Sequence, residues 1–205
     1  MNDKLNLENE LFDVIFSGEI SIEDKKAKIE ELINAGVDLN CTEVYYGFTP
    51  LYKAFNTFNG FDKELAEFLI SRGADVNALD VRGNTLLHSC VGDSEVVKFL
   101  LCHNAKIQIN ADGKTPMDLA QKGKEKNNDF IETHRVPDGE YKDRMVNNYS
   151  NYSNSLNYLE YVKLHGNESF VLKLEAEELK REDEKLKMEI DRLSKKSYER
   201  EEEIE

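Results

Sequence analysis

His88 stands two residues from Cys90, and His103 directly follows Cys102. Imidazole beside thiol is the pairing used by zinc sites and by cysteine nucleophiles. A zinc site needs four converging ligands, and neither C-x-x-C nor H-x-x-x-H spacing occurs in the chain. His134, Asp138 and Glu140 gather around a Pro137-Asp138-Gly139 turn and could be drawn as a hydrolytic acid–base group. No nucleophile elbow, phosphate-binding loop or G-x-G-x-x-G accompanies them. The expectation is therefore no metal, no cofactor and no catalysis. What the sequence does concentrate is aromatic surface: Tyr45, Tyr46 and Phe48 stand together, and Tyr52, Phe55, Phe58 and Phe61 follow. Such residues bury much area at low entropic loss, which suits a contact surface. Tyr52, Phe55 and Phe58 read as packing residues, and Tyr45 and Tyr46 as contact residues.

Charge narrows the partners. Of 205 residues, 41 are acidic and 27 basic, a net charge of −14. A nucleic-acid backbone would be repelled and a basic partner favoured. There is no apolar run long enough to span a membrane, and the first residues lack the basic-then-apolar pattern of a secretory signal. The three scattered cysteines fit reduced thiols, so the expected location is cytoplasmic.

The elements that must position these residues are repeated. Gly47-Phe48-Thr49-Pro50-Leu51-Tyr52-Lys53-Ala54 aligns with Gly83-Asn84-Thr85-Leu86-Leu87-His88 and with Gly113-Lys114-Thr115-Pro116-Met117-Asp118-Leu119-Ala120. The three threonines stand 36 and then 30 residues apart. A second block, Glu64 to Asn77, recurs at Glu95 to Ala105, with an earlier copy at Ile29 to Asn40. Thr49 and Thr115 are placed to cap a first helix, with Pro50 and Pro116 at its first position, where a missing N–H leaves nothing unpaired. Leu65, Phe68, Leu69 and Ile70 give the second helix an apolar stripe, and Gly73 ends it. In the first unit Leu7, Leu11, Phe12 and Ile15 form a stripe before Gly18, and Ser21 with Asp24 reads as a capping box. A single helix pair cannot bury its faces, so these units are stable only as a stack.

The pattern resembles the ankyrin repeat: G-x-T-P-L-H-x-A, then an apolar helix, then G-A-D-V-N-A, over about residues 8–132. The resemblance implies an all-α solenoid of helix–turn–helix repeats with β-turn fingers. Four units are expected at approximately 8–40, 41–80, 81–110 and 111–132, within a repeat domain at 1–135. The first unit lacks T-P-L-H and the last has a weak second helix, as terminal units do when they cap a stack. In this family the fingers and inner helices line a concave groove that binds protein partners. That implies partner-binding roles for Tyr45, Tyr46 and Phe48 on one finger, Arg82 and Asn84 on the next, and Asp112 and Lys114 on the last. His88 takes the histidine place of the motif, where the ring bonds neighbouring turns, and Cys90 follows as a packing residue.

Residues 136–168 read as a linker or a weak amphipathic helix. Met145, Tyr149, Tyr152, Leu156 and Leu159 keep helical spacing amid poor helix formers, and His165-Gly166-Asn167 breaks what precedes it. Residues 169–205 form a charged helix with leucine heptads, Leu172, Leu179, Leu186 and Leu193, and with Ile190 among the intervening core positions Ala176, Asp183 and Ser197. With leucine at d, Glu175, Glu182 and Glu189 fall at g and Lys173, Lys180 and Lys187 at e. A parallel homodimer then sets Glu175 against Lys180 and Glu182 against Lys187. The alternatives are a single charged helix, or one folded back on the helix at 141–164. Taken together, the chain is expected to be a non-catalytic protein–protein interaction scaffold whose partner is an unidentified protein, with neither nucleic acid nor membrane. The alternative is an acidic inhibitor or immunity-type protein that neutralises a basic nuclease or toxin.

Overall fold

The computed structural model describes residues 2–56, 60–133 and 140–202, the side chains of 2–4, 130–133, 140–142, 145, 190, 191 and 193–202 lying outside that description. Phe58, His134 and Asp138 therefore lie outside the described residues, as do the side chains of Glu140, Met145, Ile190, Leu193 and Ser197.

Helix starts follow from short polar side chains. After α1 (Asn2–Phe16), Ser21 opens α2 (Ile22–Asn34) by accepting from the Asp24 N–H at 3.1 Å. Thr49 accepts from the Tyr52 N–H at 3.2 Å at the start of α3 (Pro50–Ala54), and Asp62 from the Leu65 N–H at 3.0 Å at the start of α4 (Lys63–Ser71). Thr85 precedes α5 (Leu86–Ser89), and Asp93 opens α6 (Ser94–Cys102) by accepting from Val96 at 3.2 Å. α7 (Pro116–Thr133) begins with Thr115 and Asp118 bonded reciprocally: Thr115 Oγ1 accepts from the Asp118 N–H, and the Asp118 carboxylate accepts from the Thr115 N–H. Each of these bonds satisfies an N–H that the first helical turn leaves unpaired. Gly73, with φ of +98°, ends α4 in a backbone region that residues with a Cβ rarely adopt. In the next unit Asn104, φ +62°, holds the corresponding place after α6.

The pairs stack. The inner helices touch in the order α1 with α3 and α5 with α7, α2 packs on α4 on the outer side, and α1 with α2, α3 with α4 and α5 with α6 close the pairs. Leu11, Ile15, Leu51, Leu65, Leu69, Leu87, Leu100 and Leu101 are fully buried between them. Burial of that kind stabilises by about 25 cal/mol per Å² of apolar area. Asparagines stitch successive loops. Asn40 accepts from the Asp75 N–H at 2.7 Å and donates to Gly73 O at 3.2 Å, and Asn77 accepts from the Lys106 N–H at 2.7 Å and donates to Asn104 O at 3.3 Å. The architecture is an all-α solenoid, with no strand among the described residues.

The last unit departs from the others. α7 is one helix of 18 residues, and it is followed by α8 (Glu140–Glu202), which breaks at Gly166 (φ +81°, ψ 166°). The arm before the break packs against α7 and α6, the neighbours that a second helix of the fourth unit would have. Leu156 joins Val91 and Ala120, Leu159 and Val162 enter the main core, and Ser94 Oγ donates to Asn151 Oδ1 at 3.1 Å. Past Gly166 the chain doubles back. Residues twelve apart in an unbroken helix are separated by about 18 Å along its axis. The rings of Tyr158 and Phe170 lie 5.5 Å apart, edge to face. Asn167 Nδ2 then donates to Leu101 O at 2.7 Å and to Ala105 O at 3.2 Å, tying the corner to the end of α6.

Candidate functional site

Three hairpins project ahead of α3, α5 and α7. Each is closed by a backbone bond: Glu43 N–H to Phe48 O at 3.0 Å, Asp80 N–H to Asn84 O at 2.9 Å, and Asn110 N–H to Lys114 O at 2.9 Å. A side-chain oxygen at the first position braces each turn from within. Glu43 Oε1 accepts from the Tyr46 N–H, Asp80 Oδ1 from the N–H groups of Arg82 and Asn84, and Asn110 Oδ1 from those of Asp112 and Lys114. The hairpins are joined to one another: Val81 N–H donates to Tyr46 O at 3.0 Å, and Ala111 N–H donates to Arg82 O at 3.0 Å. Asn110 Nδ2 donates to Asn84 Oδ1 at 2.7 Å, while Asn84 Nδ2 donates to Asp80 Oδ2 at 3.1 Å. The Asn84 amide is thus spent on holding hairpins together.

An aromatic ladder descends from the first hairpin to α3. Tyr46 and Phe48 stack at 5.3 Å, and Phe48 and Tyr52 at 3.9 Å with planes 5° apart. Lys53 Nζ lies 5.2 Å above the Phe48 ring. Tyr52 is bonded to Ser89 of α5, and burial is the main cause of its raised phenol pKa. Together with Asp80, Val81, Arg82, Asn84 and Ser89, these rings line a cleft of about 290 Å³ between the first two hairpins. Tyr45 is 83% exposed at the hairpin tip and Tyr46 58%. Asp112 and Lys114 are exposed on the third hairpin and do not line the cleft. Sequence reasoning passes over Val44, Leu79 and Ile109, which stand exposed beside the hairpins, while Tyr52, half-buried, packs against the core as expected and lines the cleft as well. A hint was available: each of the three stands in a loop outside any helical stripe that would bury it.

Residues 57–132 match the family model for ankyrin repeats in three copies. Residues 57–132 carry ankyrin repeats. The chain is 39% identical over 57 residues to a mouse protein fem-1 homolog A-like, and 43% identical over 61 residues to alpha-latroinsectotoxin-Lt1a of Latrodectus tredecimguttatus. Those matches cover 27% and 28% of this chain and only 9% and 4% of the two relatives. A putative ankyrin repeat protein of Rickettsia bellii is 34% identical over 97 residues, which are 45% of this chain and 52% of the relative. Among solved structures, the ankyrin repeat domain of Bcl-3 aligns with a TM-score of 0.42 at 25% identity, covering 47% of this chain and 42% of that one.

Within the ankyrin stack the residues that suggested chemistry have structural partners. His88 is buried; its Nδ1 accepts from the Thr85 N–H at 3.1 Å, so Nε2 carries the proton and donates to Lys114 O at 3.1 Å, linking one repeat to the next. Burial holds the His88 pKa below its ordinary 6.5, against the opposing pull of the Lys114 carbonyl. The folded chain therefore resists protonation that the unfolded chain accepts, so stability is full above 6.5 and is lost as pH falls below it. Urea midpoints at about pH 7.5 and about pH 5.5 test this: the wild type drops between them, and His88→Ala, weaker at both, drops less. Burial pushes the Cys90 thiol up to about 12, far from a thiolate nucleophile. His103 Nδ1 donates to Phe99 O at 2.9 Å, and its ring lies 4.2 Å from that of Phe99. No group of three or more metal-ligating side chains gathers among the described residues, and no helix there is long and apolar enough to cross a membrane.

Proposed function

We propose that the chain is a non-catalytic recognition scaffold, which takes a protein partner across the first two hairpins and whose C-terminal helix brings two copies together. The observation that carries this is the first hairpin. Tyr45 and Tyr46 are exposed at a tip held by bonds within its own hairpin and by the Val81–Tyr46 bond to the next, so little backbone freedom is lost when a partner covers them. The stacked rings below offer apolar area, and the Arg82 guanidinium stands at the same cleft as a charged anchor. Phe48 belongs to the floor of this site, Asn84 to its frame, and Asp112 and Lys114 to its flank. Ankyrin repeats are in general protein-binding and non-catalytic, which supports the class of function; three free cysteines suit a reducing, cytoplasmic setting.

The second reading, an acidic inhibitor of a basic protein, draws support from the net charge of −14. Affinity capture from the source cell's lysate separates the two. The wild-type chain and the Tyr45→Ala/Tyr46→Ala variant, matched for folding by circular dichroism, serve as baits. A partner held by the wild type and weakened at least about tenfold by the variant supports recognition at the first hairpin. A partner held equally by both, and released steeply by salt, overturns it in favour of diffuse charge.

A further inference from the structure

The C-terminal arm of α8 has two apolar faces, and one of them is covered. Past Gly166, Phe170 is fully buried and Leu174 packs against the core of the stack. Leu172 stands two residues from each of them, about 160° round the helix axis from both. It is 65% exposed, and Leu179 and Leu186 are 66% and 63% exposed. Spacing by seven places the three leucines on one stripe about 21 Å long, turned away from the face that grips α6. The heptads alone leave folding back and pairing as alternatives. The structure assigns them to different sides of one helix.

The charges flanking the stripe say what covers it. Glu175 and Glu182 border one side, Lys180 and Lys187 the other, and all four are exposed. In a parallel pair Glu175 meets Lys180 of the second copy and Glu182 meets Lys187 of the second copy. An antiparallel pair sets glutamate against glutamate. Asp183, the one charged residue described in the seam, already accepts from Lys187 of its own helix at 2.5 Å. A lysine ammonium has three donors, so that bond leaves Lys187 free to serve the second copy as well.

We propose that two copies of this chain pair in parallel through Leu172, Leu179 and Leu186 while each keeps its Phe170–Leu174 face on its own stack. The docked face lies at the amino-terminal end of the pairing helix, so a parallel pair holds both stacks, and both hairpin clefts, at the same end. The bivalency this gives rests on the recognition reading, through a raised effective concentration at the second cleft. The pairing does not rest on it.

Sedimentation equilibrium of the full chain over a range of concentrations tests the pairing. Twice the mass of one chain is expected at the upper end, dissociating on dilution. Leu179→Glu with Leu186→Glu, both at exposed sites, leaves the melting curve unchanged at dilutions where both proteins are single chains and raises the dissociation constant more than about tenfold. Lys180→Glu weakens pairing, and adding Glu175→Lys restores it, as parallel register requires. Single-chain mass at every concentration overturns the proposal, and so does a pair that survives the leucine substitutions. A charge swap that fails to restore pairing overturns the parallel arrangement. Tyr45→Ala/Tyr46→Ala leaves the mass unaltered, so failure of the pairing and failure of the recognition site are read separately.

Discussion

Replacing Phe170 with Ala lowers the stability of the whole chain by about 3–5 kcal/mol, or about 6–20 °C in melting temperature. The residue sits four positions beyond the break in α8, on what composition marks as a charged tail. Its ring is nevertheless fully buried, among the same core cluster as Leu100 and Leu101 of α6. Tyr158 meets it edge to face at 5.5 Å and Tyr161 lies 6.1 Å away, so the ring fills the inside of the corner made at Gly166. Truncation to Ala leaves a hole bounded by both arms of α8 and by the stack, and none of the three can collapse without giving up another contact. Thermal unfolding by circular dichroism measures the shift. A melting curve like that of the wild type would show that the tail contributes nothing to the stack.

How much of this was legible beforehand divides by the range of the contacts. Thr49, Ser21 and the Thr115–Asp118 pair act on N–H groups three residues away, so their types and spacing were enough to place helix starts. Gly73 is equally local. The ring of His88 bridges 26 residues to Lys114 O, and only the repeat made that contact foreseeable. Corner formation was not legible in the same way. Asn167 bonds Leu101 O across 66 residues, and nothing in the neighbourhood of Asn167 marks it as a clamp. The place of residues 140–165 beside α6 and α7 was obscured by their asparagines, which lower helix propensity: Asn147, Asn154 and Asn157 are exposed, whereas Asn151 meets Ser94 of α6. At the candidate site, aromatic density announced the first hairpin, but the role of Asn84 depends on Asn110 of the next repeat and lay beyond any local reading.

Gly123 carries the second large expectation, and its sign is contrary to propensity. It stands inside α7, where Ala is the better helix former by about 1 kcal/mol. A methyl group there would lie 2.4 Å from Cε1 and 2.5 Å from Cζ of Tyr152, closer than non-bonded carbons approach. The ring has little room to retreat, because a Cβ built at Gly92 would stand 3.2 Å from the Tyr152 hydroxyl on another side. Glycine is therefore present in the helix so that α8 can lie against it. Gly123→Ala is expected to destabilise the chain by about 1–3 kcal/mol through overpacking. In a Tyr152→Ala background the obstacle is gone, and the same substitution should stabilise by up to about 1 kcal/mol. The reversal is a coupling between two residues 29 positions apart, and a double-mutant cycle of urea unfolding energies measures it directly. Equal destabilisation in both backgrounds would place the effect within α7 and detach it from the docking of α8.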